Sequence, residues 1–153
     1  MKHVLGVAIV LMAMVCFGVA SAATDVEGTI TKTLCFVAPS GETISLTPGQ
    51  ETSKLATTPM SVGSNAGWTV SLAANNGGFM KTSGGSGVAL TNPHKVLIDA
   101  HTTKVDCSSI TNPVDSGSAQ APTSIAVTYY QTTAWTDAPG VYKITLTFTA
   151  ANP

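Results

Sequence analysis

The strongest constraint on the fold lies near the end of the chain. From Val141 to Thr149 the side chains alternate without a break. Tyr142, Ile144, Leu146 and Phe148 fall on one face, and Lys143, Thr145, Thr147 and Thr149 on the other. A period of two is what a half-buried strand requires, and a helix cannot gather such residues on one side. The pattern recurs. Trp68, Val70 and Leu72 alternate with Thr69, Ser71 and Ala73, and Ile125, Val127 and Tyr129 share a face within residues 124–131. Near the N-terminus Val26, Gly28, Ile30, Leu34 and Phe36 form one row, interrupted by Lys32. Shorter strands are expected at 42–46, 54–62, 88–90 and 95–98. Pro59 makes the 54–62 strand an edge, because it cannot donate to a ladder. Thr47-Pro48-Gly49, Asn75-Asn76-Gly77-Gly78 and Ala138-Pro139-Gly140 read as turns. Residues 83–87 read as a flexible loop and 109–122 as a long polar one. No window carries a capped helical stripe, and the chain is rich in Thr, Ser, Gly, Asn and Ala but poor in strong helix formers. The expected class is all-β, an immunoglobulin-like β-sandwich of about seven strands.

The first residues read as an export address. Lys2 and His3 precede an apolar run from Val4 to Val19, and Ala20-Ser21-Ala22 offers a small-residue cleavage site. Residues 1–22 are therefore assigned as a signal peptide, residues 23–34 as a first strand, and residues 35–153 as the sandwich domain. The run is shorter than the roughly 20 residues that span a bilayer. Removing Lys2 from the seven basic residues leaves six against eight acids, a formal charge of −2 for a mature chain of about 131 residues. Such a balance gives no electrostatic footprint for nucleic acid and no polybasic run for anionic lipid. Cys16 leaves with the signal, so Cys35 and Cys107 remain. In an exported chain they most simply form one disulfide, with two free thiols as the alternative. Its loop of about 70 residues would be worth roughly 4 kcal/mol in the chain-entropy treatment.

No catalytic or cofactor-binding constellation emerges. Asp99, His101, Asp106, Cys107 and His94 lie near one another in sequence, but no further pair completes a metal site at recognisable spacing. Asp115-Ser116-Gly117 has no second acidic triplet to share a proton with. The Ser83–Gly87 glycine run lacks the Lys-Ser/Thr and the helix that a phosphate cradle needs. The expectation is a non-enzyme without metal or cofactor. Tyr130 and Trp135 are the aromatic residues expected at the surface, while Trp68 is expected in the core.

Three features together resemble the pilin subunits of chaperone–usher pathways, of the archaic type related to spore coat protein U. They are the N-terminal row Val26-x-Gly28-x-Ile30 leading to Leu34-Cys35-Phe36, the phrase Ala138-Pro139-Gly140-Val141-Tyr142 followed by an alternating strand, and the helix-poor body behind a signal peptide. The resemblance implies a sandwich lacking its last strand. Its open groove is filled first by a periplasmic chaperone and then by the N-terminal extension of the next subunit, which is β-augmentation propagated head to tail. Val26, Gly28, Ile30 and Leu34 would be the donor residues, and Tyr142, Ile144, Leu146 and Phe148 would line the acceptor groove. The partners implied are copies of the chain, a chaperone and an outer-membrane usher. The implied route is periplasm, then cell surface. The alternative is a self-complete secreted module that binds carbohydrate or a surface, using Trp135 or Tyr130.

Overall fold

The structure, a computed structural model, describes residues 27–83, 87–99 and 101–153. The signal assignment and Val26 lie outside these residues. The chain divides into a unit of residues 1–31 and a unit of residues 32–153. Of the first, residues 27–31 are described; they are exposed and belong to no strand.

The second unit is all-β, with antiparallel sheets consistent with a β-sandwich. Its strands are β1 (Leu34–Val37), β2 (Glu51–Leu55), β3 (Met60–Ser64), β4 (Trp68–Ala74), β5 (Lys81–Thr82) and β6 (His94–Ile98). They continue with β7 (Val105–Asp106), β8 (Asp115–Gly117), β9 (Gln120–Ile125), β10 (Val127–Thr132), β11 (Tyr142–Lys143) and β12 (Leu146–Ala151). Three larger sheets run in the orders β1-β3-β9, β2-β10-β6-β7 and β12-β4-β8, and β11 pairs with β5. Alternation decides which side chains meet. Met60 and Val62 of β3, Trp68, Val70 and Leu72 of β4, Val96 and Ile98 of β6, and Val127 and Tyr129 of β10 pack into one core. Each fully buried aliphatic side chain there contributes about 1.5–3 kcal/mol. Phe148 lies opposite Leu72 and Ala150 opposite Val70, so the inward row of β12 joins that core at its margin.

Several boundaries differ from the sequence reading, each for a local reason. The stretch expected as one strand at 54–62 is two strands in two sheets. Pro59 lies at the break, and Ala56 N–H donates to the Val127 carbonyl across it. The 124–131 strand divides in the same way at Ala126, between β9 and β10. Two neighbouring chain segments therefore pass from one sheet to another at the same level. The last strand divides between β11 and β12, where Asn75 holds Thr145 through its backbone N–H and its side-chain amide oxygen. The polar loop expected at 109–122 contains β8 and the first half of β9. The N-terminal strand begins only at Leu34. The strand expected at 42–46 is absent, because that stretch has no ladder partner among the described residues.

The Asn75–Gly78 turn is as expected, with Asn76, Gly77 and Gly78 all at positive φ. Gly78 also lies against the Cys107 backbone, where a Cβ would come within 2.1 Å of its carbonyl. The edge of β4 beyond β8 is closed by a side chain. Leu72 N–H donates to Asn112 Oδ1 at 2.8 Å, and Asn112 Nδ2 donates to the Leu72 carbonyl at 3.0 Å. The amide thus takes the place of one more residue of β-ladder.

Candidate acceptor groove

A groove of about 710 Å³ opens along the inward row of the C-terminal strand. One lip is formed by residues 141–148, through Tyr142, Ile144, Leu146 and Phe148. These four residues are half-buried, and those between them are exposed. The tyrosine is fixed by its hydroxyl, which donates to the Ala138 carbonyl four residues back. The other lip is the segment 38–46. There Ile44 and Leu46 are half-buried, and Thr43, Ser45 and Thr47 are exposed. Both lips thus present strand-like alternation. Among the described residues β12 is paired on one edge only, with β4, and residues 41–46 are paired on neither.

The floor is more polar. Met80, His94 and Tyr129 reach it from below. Tyr129 donates its hydroxyl to the Ser40 carbonyl at 2.8 Å, which fixes the start of the outer lip. Burial pushes this phenol up to about 12, and the Glu42 carboxylate adds to the shift. Glu42 itself is held below the usual carboxylate range by the Ser40 hydroxyl and by the Thr57 backbone N–H. The His94 ring stacks on Tyr129 with centroids 6.0 Å apart. Its Nδ1 lies 3.2 Å from Gln131 Oε1. Burial holds this imidazole below its ordinary value, with the Gln131 bond opposing.

Tyr142, Ile144, Leu146 and Phe148 therefore line one groove. The donor row does not behave as one element. Gly28 and Ile30 are exposed and lie outside any strand, with Ile30 90% exposed. Leu34 is a correction: it sits in β1 opposite Ser64 and packs against the core of its own chain. Lys32 donates to the Pro153 carbonyl at 2.9 Å. The cysteines are a second correction. The Cys35–Cys107 bond is not made, and both thiols are free. Strand alternation turns Cys35 outward between half-buried Leu34 and Phe36, whereas Cys107 is buried in the core. No protein-family model matches the chain, and no curated protein matches it.

The other candidates scatter. Among the described residues no three His, Cys, Asp or Glu side chains gather as a metal site. His94 turns to Gln131, while His101 Nε2 lies 3.3 Å from Asp115 Oδ1. Trp68 is buried, as its place in an alternating strand predicts. Tyr130 is covered by the Lys104 ammonium, 3.8 Å from the ring centroid, and Lys104 also pairs with Glu51. Trp135 is 81% exposed and lies over Gly49, where a Cβ would come within 2.4 Å of the indole nitrogen. The sequence reading missed Ile44, Leu46, Met80 and His94 as groove residues. The alternation of Ile44 and Leu46 was legible, but its orientation toward 141–148 depends on long-range packing.

Proposed function

We propose that the chain is a structural subunit of an extracellular fimbria or coat, an immunoglobulin-like sandwich completed in trans by a strand from a second copy. The observation that carries this reading is the groove itself. Both lips are extended, both alternate apolar side chains into it, and both have a backbone edge without a ladder partner among the described residues. Such an edge beside uncovered apolar side chains favours added strand pairing, since one inserted strand satisfies both needs. The occupant we assign is the stretch from Val26 to Thr31 of the next copy. Val26, Gly28 and Ile30 supply its inward row, and the insert ends before Lys32 and Leu34, which are engaged within their own unit. Export through residues 1–22 rests on their signal pattern, and a periplasmic chaperone and an outer-membrane usher as earlier partners rest on the resemblance.

The test is assembly. The purified protein should form polymers that deletion of residues 23–32 abolishes, and a synthetic 23–32 peptide should inhibit growth of the intact chain. Polymers formed equally well by the deleted protein refute strand donation by this segment. One observation favours a second reading, a self-complete module that binds glycans. Trp135 stands exposed on a loop held by Asp137, which accepts from Thr91 and Ala134. That reading expects a stable monomer whose glycan binding is lost in Trp135→Ala, and an array screen without a hit refutes it.

A further inference from the structure

One polar group in the groove floor has no protein partner among the described residues. Gln131 uses both amide protons, donating to the Asn92 carbonyl at 3.0 Å and to the Thr132 carbonyl at 2.9 Å. Its Oε1 must therefore accept, so the proton of the neutral His94 ring sits on Nδ1. The Nε2 on the other side of the ring is then a bare acceptor. No side chain or backbone group among the described residues donates to it. The residue is only 2% exposed, and His94 lines the groove while Gln131 does not. In the open groove water can reach this atom; a strand that fills the groove removes that water, and an acceptor buried in this way is costly unless the strand supplies a donor.

We infer that His94 is the polar reader of the groove: its Nε2 accepts a hydrogen bond from an N–H or O–H of the inserted strand, and only the neutral ring can do so. Occupancy is thereby linked to protons. This rests on the strand-donation reading above. In the open groove water can solvate an imidazolium. In the filled groove that water is gone, and the charged ring faces an apolar strand with no acceptor for its new proton. Filling therefore favours the neutral form. Affinity is complete while the ring is neutral and declines as the solution is acidified, at the limit by about tenfold per pH unit.

Other ionisable groups around the ring give no equal response at mildly acid pH. Tyr129 stacks on it and, with a pKa raised to about 12, stays protonated. Cys107, whose backbone N–H donates to the His94 carbonyl, has its thiol pushed up to about 12 by burial and by Asp106. Glu42 is held ionised below the usual range. Tyr142 and Lys143 lie on the far lip.

The test is a titration of the purified protein with a rhodamine-labelled peptide of residues 23–32, read by anisotropy between pH 8 and pH 5. The wild type should bind progressively more weakly on acidification. His94→Gln keeps an acceptor that does not titrate. It should bind more tightly at pH 8 than a variant without an acceptor and show a much flatter profile than the wild type. His94→Phe keeps a ring without an acceptor and should bind roughly five- to thirtyfold more weakly at pH 8, the loss expected for one buried hydrogen bond left unmade. Thermal unfolding confirms that each variant is folded. A flat wild-type profile, a His94→Gln profile as steep as the wild type, or a folded His94→Phe that binds at full strength overturns the role of His94 while strand donation stands. Absence of peptide binding at every pH overturns both.

Discussion

Asn112 provides a quantitative test of how the sheet edges are finished. Its amide makes two hydrogen bonds to the backbone of Leu72, one as acceptor and one as donor, at 2.8 and 3.0 Å. Truncation in Asn112→Ala leaves a strand N–H and a strand C=O unmet at a part-buried position. Each such bond is worth about 0.5–1.5 kcal/mol net, so the variant should lose roughly 1–3 kcal/mol of unfolding free energy. Asn112→Asp should not restore this, because a carboxylate can accept from the N–H but faces the carbonyl without a donor. Urea unfolding followed through buried Trp68 measures the difference, with m unchanged because the fold is the same. Native-state hydrogen exchange gives a second readout. The Leu72 amide should be protected in the wild type and exchange faster in the alanine variant, beyond the global change. An alanine variant within about 0.3 kcal/mol of wild type, less than the weakest such bond, or a Leu72 amide already unprotected in the wild type, would refute the argument.

Other outcomes follow from the packing. A maleimide should modify Cys35 in the native protein and reach Cys107 only on unfolding, as peptide mapping would show, because one thiol is exposed and the other is buried and held protonated. Gly63→Ala should destabilise by more than 1 kcal/mol, a loss typical of overpacking; its Cβ would lie 2.5 Å from the Pro122 backbone nitrogen, and unchanged thermal stability would contradict that geometry. His94 also bears on folding. Its folded-state pKa is depressed from 6.5, so the neutral form stabilises the fold fully above that value. Stability should decline as pH falls below 6.5, and His94→Gln should remove that part of the decline.

The strands that the sequence announced are those with unbroken alternation. β4, β10 and the inward row of β12 could be read from Trp68, Tyr129 and Phe148 because burial on one face leaves a period-two record in the residues themselves. Breaks between sheets leave a weaker record. Pro59 was visible but read as an edge, since a missing N–H says where pairing stops and not which sheet follows. Ala126 has no local signal at all. Strand β8 and the first half of β9 were hidden in a polar stretch: Asp115 is buried without an apolar side chain to announce it, and Thr123 is exposed, so its pairing with Val62 leaves no apolar alternation. The far lip of the groove was legible as a line of residues, 142 to 148. Its floor was not, since His94 reads as a lone surface histidine until the Gln131 amide and the Tyr129 ring are brought to it.

The paired crossings at Ala56–Pro59 and at Ala126 have a mechanical consequence. Adjacent backbones change layers together and are laced by the Ala56–Val127 hydrogen bond. Tension on one layer is passed to the other through continuous peptide instead of through side-chain contacts alone. A fibre built from such links would resist shear as a chain of single solid beads, each rupturing in one step and none shedding a sheet first.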